Sequence, residues 1–286
     1  MKKILENSTL LVFYFLFKFL GLRISSFLGG FIFYSFGIFS KRNITVKKNL
    51  KRVFPYLKKK EINKYIKDMW FHFGRVIGEY PNLNKIKIGK NKNILIENEE
   101  NLINPLEEYN NCLFFSAHIG NWELTSHLLI QRGYKINFIY RAPNNKFADN
   151  LLRKIRLGYG VDLVKKGNQG AKQCLKILKR KGGHLGMLID QKMNDGISTK
   201  FFNETVKSPS AIAKFALKFN CPIIPAVCFR VSGIKFRIIY FKPIYPKNLK
   251  KIGNETQIMN YLNKYVEDWI KEHPEQWIWF HNRWSN

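Results

Sequence analysis

His118 and Glu123 are the two residues of this chain whose types and spacing could do chemistry. They lie in residues 111–129, NCLFFSAHIGNWELTSHLL, where an apolar strand ends at Ser116 and His118 follows on the turn. Asn121 is a good N-cap, and Trp122, Glu123 and Leu124 begin a helix. A histidine at the C-terminal end of a strand stands where open α/β sheets place ligands and catalysis. In the first helical turn the helix dipole favours Glu123 in its ionised form. Five residues apart across a turn, the two side chains can meet. A carboxylate on one imidazole nitrogen leaves the other as a general base towards a hydroxyl. The bland alternative is a satisfied polar pair with no catalytic task. His127, His184, His273 and His281 have less support, and His127 falls inside the helix as packing or surface.

The elements that must position this pair follow from periodicity. Residues 44–53 and 61–80 carry apolar residues at helical spacing and are separated by Pro55. From about Ile94 the period changes. The runs NILIEN, NCLFFSA, INFIYR, VDLV, HLGMLID, PIIPAVCF and KFRIIYF are predicted strands, and helices fall near 123–131, 146–157, 170–181 and 209–219. Residues 261–271 form a last helix before an aromatic tail. Alternation of this kind predicts an α/β fold, a mixed central sheet with helices on both faces. No internal repeat or long linker appears, so residues 42–286 are expected to form one catalytic domain behind a membrane anchor at 1–41. Cys112, Cys174, Cys221 and Cys228 show no metal-ligand spacing and sit in buried-type runs, which suits small core residues in a reducing compartment.

Charge points to an anionic partner. Lys and Arg number 49 against 20 Asp and Glu, a net +29 in 286 residues. Nucleic acid, anionic headgroups and a phosphorylated substrate all fit that balance. Abundant Lys, Asn and Ile also suit AT-rich coding, but the charge is not evenly spread. Residues 10–39 are dominated by Leu, Phe, Ile, Val and Gly, interrupted by Lys18 and Arg23, and a basic block from Lys41 to Lys60 follows directly. An apolar helix with an adjoining basic block docks on an anionic leaflet and keeps the next domain cytoplasmic. A tilted span and an interfacial helix both satisfy the pattern.

Several segments resemble one family. His118-Ile119-Gly120-Asn121-Trp122-Glu123 resembles the His-x4-Asp/Glu signature of the lysophospholipid acyltransferase superfamily, in a form close to the lipid A biosynthesis late acyltransferases, the lauroyl and myristoyl enzymes. KKNLKRVFP (47–55) is similar to the family's segment after the anchor, Tyr140 to Asn145 to its "YRP-N" segment, and Arg156 to Gly160 to its Arg-x-x-aromatic-Gly. Asp190-Gln191 with Phe201-Phe202 resembles "DQ…FFG", Cys221 to Pro225 the proline-bearing strand, and Trp277 to Trp284 the "W-W-H-RW" tail. These matches run in order from about residue 10 to residue 284. Asn203 stands where the family has the Gly of FFG, which puts donor detail at that loop in question.

The resemblance implies direct acyl transfer without an acyl-enzyme. His118 takes the proton of an acceptor hydroxyl that attacks a thioester, and Glu123 orients the ring. Ser116, the nearest candidate nucleophile, reads as structural. Arg141, at a strand end, is expected to bind phosphate. Arg156 lies on a basic helix as a binder or a solvated charge, and Asp190 shapes the site or a turn. Asn121 is expected to join substrate binding in the same constellation, and Arg283 contacts a headgroup phosphate or caps the fold. The implied donor is an acyl-acyl carrier protein and the implied acceptor an anionic glycolipid, a Kdo-bearing lipid A precursor, at the cell inner membrane. No metal or organic cofactor is implied. The rivals are an acyl-CoA-dependent enzyme for a mannosylated phosphoinositide or a lysophospholipid, an inactive homologue, and a basic nucleic-acid-binding protein. The last would need a binding motif or basic residues interleaved with exposed aromatics, and the sequence offers neither.

Overall fold

A computed structural model describes residues 2–284. The apolar N-terminal run forms helix α1 (Lys2–Gly37), which kinks at Gly21 with φ 73° and ψ 175°. Asn82 donates to the carbonyl of Phe17 one turn before that kink. The two halves of α1 have different surroundings. Before the kink, Phe15 and Phe19 are exposed; after it, Ser25, Ser26, Gly29 and Gly30 are buried. Helix α2 (Asn43–Val53) follows, then α3 (Lys59–Glu79), whose Gly74 and Gly78 meet the backbone of Ser25 and Gly29. Small residues on both helices let the backbones approach closely, and a Cβ at any of these glycines would collide with the opposite chain. By length and composition α1 could cross a membrane.

The body is a seven-stranded mixed sheet. Its strands are β1 (Ile94–Glu97), β2 (Leu113–Ser116), β3 (Ile136–Tyr140), β4 (Val161–Lys165) and β5 (His184–Leu188), with β6 and β7 forming a separate hairpin (Ile197–Phe201, Glu204–Ser208), then β8 (Ile223–Ser232) and β9 (Lys235–Tyr240). The sheet order is β1-β9-β8-β2-β5-β3-β4, parallel throughout except for the antiparallel β8–β9 pair. Strand β2 lies at the centre, pairs with β5 and β8, and is buried along its whole length, as its LFFS run requires. The remaining helices are α4 (Glu100–Glu108), α5 (His127–Gln131), α6 (Lys146–Gly158), α7 (Asn168–Leu178), α8 (Ala211–Phe219), α9 (Pro246–Ile252) and α10 (Glu255–Glu272). Two large apolar clusters form the core, containing Phe115 and Phe114 respectively, neighbours on β2 whose side chains leave opposite faces of the sheet.

The predicted strands form at their expected places, and the four cysteines are free and buried. Helix α4, which contains Pro105, α9 and the β6–β7 hairpin were not predicted. The hairpin turn carries Phe202 and Asn203 at φ 48° and 62°. Asn tolerates this left-handed region, so Asn203 keeps the turn that the family's Gly would make.

Candidate active site

The turn that carries His118 is fixed by contacts on every side. Gly120 sits at φ 57°, and a Cβ there would run into the carbonyl oxygen of Cys228. Its carbonyl accepts from Nε2 of His72 on α3 at 3.0 Å. The amide of Asn121 donates to Cys228 O and that of Gly120 to Gln276 O, tying the turn to β8 and to the C-terminal tail. Trp277 forms a β-bridge with Ile119. Asn49 of α2 in turn donates to the carbonyls of Trp279 and His281 and so holds the tail.

His118 is partnered by Asp190. Its ring Nδ1 lies 2.9 Å from Asp190 Oδ1, its backbone amide 3.0 Å from Oδ2, and Trp277 Nε1 donates to Oδ2 at 2.8 Å. Burial alone would raise the Asp190 carboxyl, but its contacts with His118 and Trp277 outweigh that and hold it at about 2. The carboxylate is therefore ionised at neutral pH and can only accept, so Nδ1 carries a proton towards it and Nε2 is the ring nitrogen left facing away. Gln191 Nε2 lies 3.5 Å from that nitrogen.

The expected pairing of His118 with Glu123 does not form. Gly120 turns the chain so that Trp122 packs against the imidazole, ring centroids 5.3 Å apart, and its Nε1 points to Glu123 Oε1. Glu123 is instead gripped by Arg156 of α6 through two bonds, Nε to Oε2 at 2.8 Å and Nη2 to Oε1 at 2.5 Å, and by the hydroxyls of Tyr80 and Tyr159. Burial opposes its ionisation, and Arg156 with these donors overcomes it and holds the carboxyl at about 2. Arg156 is thus an internal partner rather than a solvated charge on a basic helix.

Asn121 does not cap a helix through its side chain. Its Nδ2 donates to Glu79, which also forms a buried bidentate pair with Arg230 and accepts from Ser26 of α1. The segment after it is a 3-10 helix (Trp122–Ser126) leading into the short α5, not one α-helix. Arg283 is fully buried, donates to Lys207 O and Ser208 Oγ, and lies over the ring of Phe201. It caps the fold and is not placed to meet a headgroup. Phe201 and Phe202 pack against Trp284 and do not line the cavity described next.

That cavity, about 740 Å³, opens at the C-terminal ends of β2, β3 and β5 and brings His118, Glu123, Arg141, Arg156 and Gln191 to one wall system. Arg141, exposed at the end of β3, lies where the sequence puts it. Beyond the polar mouth the lining turns apolar: Ile139, Cys174, Met187 and Phe215 on one face of the sheet, Phe138 and Val161 on the other. The site combines an imidazole oriented by a buried carboxylate, cationic groups at the entrance and room for hydrocarbon. The residue whose role the spacing of histidines did not reveal is His281, which also lines this cavity.

Over 216 residues, 74% of this chain and 66% of the relative, the chain is 20% identical to a phosphatidylinositol mannoside acyltransferase of Mycobacterium tuberculosis (strain ATCC 25618 / H37Rv). The match thus spans just under two thirds of the relative's own length. The family model for the bacterial lipid A biosynthesis acyltransferases matches residues 3–286, and the chain therefore belongs to that family.

Proposed function

We propose that this protein transfers a fatty acyl chain from an acyl-acyl carrier protein to a hydroxyl of a Kdo-bearing lipid A precursor, with His118 as general base. The observation that carries the chemistry is the His118 ring, anchored at Nδ1 by Asp190 and lining a cavity with a cationic mouth and an apolar interior. Nε2 takes the proton of the acceptor hydroxyl as its oxygen attacks the thioester carbon. Asp190 stabilises the imidazolium, and the departing thiolate then takes the proton back. Glu123 acts as a positioning residue: with Arg156 it fixes the wall formed by Tyr80, Trp122 and Tyr159. Arg141 meets a phosphate of the acceptor. The net charge of +29 suits an acidic carrier, an anionic lipid and an anionic leaflet together. Helix α1 anchors the enzyme in the inner membrane with the catalytic body on the cytoplasmic face.

A second reading is favoured by the relative named above: a mannosylated phosphoinositide as acceptor, with acyl-CoA as donor. One experiment separates them. Detergent-solubilised protein is given acyl-carrier-protein and acyl-CoA thioesters, each with the Kdo-lipid A precursor or with phosphatidylinositol mannoside, and mass gain is read by mass spectrometry. One added acyl chain on the Kdo lipid, abolished by His118→Ala, is the expected result. Transfer only to the mannoside would replace the lipid A reading, and transfer that survives His118→Ala would remove the mechanism.

A further inference from the structure

The four backbone N–H groups of the turn from His118 to Asn121 are all engaged within the fold, on Asp190 Oδ2, Ala117 O, Gln276 O and Cys228 O. A turn so engaged has no amide for an oxyanion, the donor that many acyl-transfer sites use. The charge that develops on a thioester oxygen must be met from elsewhere on the cavity wall.

His281 lies on that wall. Its Nε2 accepts the backbone N–H of Lys192 at 2.9 Å, so its ring proton is on Nδ1. The ring lines the same cavity as His118, and the residue it holds, Lys192, directly follows Gln191. One residue links the two histidines: Ile278 donates to the His118 carbonyl at 3.3 Å and accepts from the His281 amide at 3.4 Å. Asn49 fixes the His281 carbonyl from behind at 2.9 Å. Burial, with His118, Arg283 and Arg141 nearby, pushes the ring to about 4 despite Asp190, so it is a neutral donor at neutral pH.

We propose that His281 donates its Nδ1–H to the thioester carbonyl oxygen as that oxygen becomes an oxyanion. The inference rests on the acyl-transfer reading above. As the acceptor oxygen bonds to the carbonyl carbon, the C=O π pair moves onto oxygen under this N–H, and the hydroxyl proton goes to His118 Nε2. When the C=O re-forms, the C–S bond breaks and the thiolate takes that proton, leaving an ester and a free thiol. The His281 proton stays on Nδ1 throughout.

The test uses the full-length enzyme and the thioester on which the wild type turns over fastest. His281→Ala should lower kcat by about 10²–10³-fold, with KM for both substrates and the melting temperature unchanged. His281→Gln can accept from the Lys192 amide and still donate from Nε2, and should restore most of that loss. Nitrogen-15 spectra of labelled histidine at pH 7 should find His281 neutral with its proton on Nδ1, whatever the turnover. A wild-type kcat in His281→Ala, a loss confined to KM, a Gln variant as slow as Ala, or a proton found on Nε2 would each overturn the role. A wild type silent with every thioester would remove the function reading and this inference together. An active wild type with an unaffected His281→Ala would remove only this one.

Discussion

Asp190 holds His118 at two points, the ring through Oδ1 and the backbone amide through Oδ2, and Trp277 shares the second oxygen. Position and tautomer of the imidazole are therefore set by one carboxylate. In Asp190→Asn one of these acceptors becomes an N–H donor. If it faces the ring, Nδ1 must accept and the proton moves to Nε2, the wrong nitrogen for a base. We expect kcat to fall by about 10²–10⁴-fold, the range for losing general-base help, with KM nearly unchanged. Steady-state kinetics decide it, and an Asn variant with normal kcat would dismiss Asp190 as orienter.

Glu123 has a different task. Removing its charge leaves the Arg156 guanidinium buried without its counter-ion, so Glu123→Gln should destabilise the fold by about 3–5 kcal/mol. Replacing both by apolar residues of similar size should cost less than the single change. Denaturant unfolding of the two variants beside the wild type in detergent checks this. A Gln variant as stable as wild type but wholly inactive would return Glu123 to the chemistry.

Gly120→Ala should abolish activity. The new Cβ meets the Cys228 carbonyl, and a φ of 57° costs a non-glycine residue about 1–2 kcal/mol before the collision is counted. Because His118 lies two residues away on the same turn, the lost geometry should exceed the lost stability. Kinetics beside a thermal melt would separate the two, and an active, folded Ala variant would mean that the turn can shift freely.

Acid should weaken the fold before its carboxylates titrate. Burial and then Arg230 push His72 down to about 3 from an ordinary 6.5. The unfolded chain thus binds this proton below about 6.5 and the folded chain does not, so stability falls with pH across that window. Glu123 and Asp190, at about 2 in the fold against 4.5 and 3.8, add their loss only lower, as pH drops through those values. Urea midpoints should be lower at pH 5 than at pH 7, and by less in His72→Gln. Equal midpoints at the two pH values would contradict this.

The two halves of α1 should behave differently. Deleting residues 2–20 removes part of the exposed apolar surface, leaving Phe27, Phe31, Phe36 and the basic block, and should weaken binding to anionic vesicles while the body stays folded. Deleting 2–37 also strips the contacts of Ser25, Ser26 and Gly29 with α3 and should unfold it. Flotation and circular dichroism distinguish the outcomes. A soluble, folded 2–37 deletion would show that α1 is only an appendage.

The sequence by itself determined most of the elements and the place where His118 emerges. Short runs rich in β-branched and aromatic residues marked the strands, and a histidine just past the most apolar run had to emerge at the sheet's C-terminal edge. Local patterns of that kind are set by residues a few positions apart. What only the tertiary structure decided is who partners whom. Asp190 reaches His118 because β5 pairs with β2, although 72 residues separate them. Glu123, five residues away and expected to take that place, is turned aside by Gly120 and claimed by Arg156 and two tyrosines. Arg283 reads as a headgroup contact or a cap of the fold, and the packing of three tail tryptophans against the β6–β7 hairpin and the core buries it and decides for the cap. A carboxylate's partner is chosen by which cations and donors the fold delivers within hydrogen-bond reach, and spacing along the chain carries no record of that.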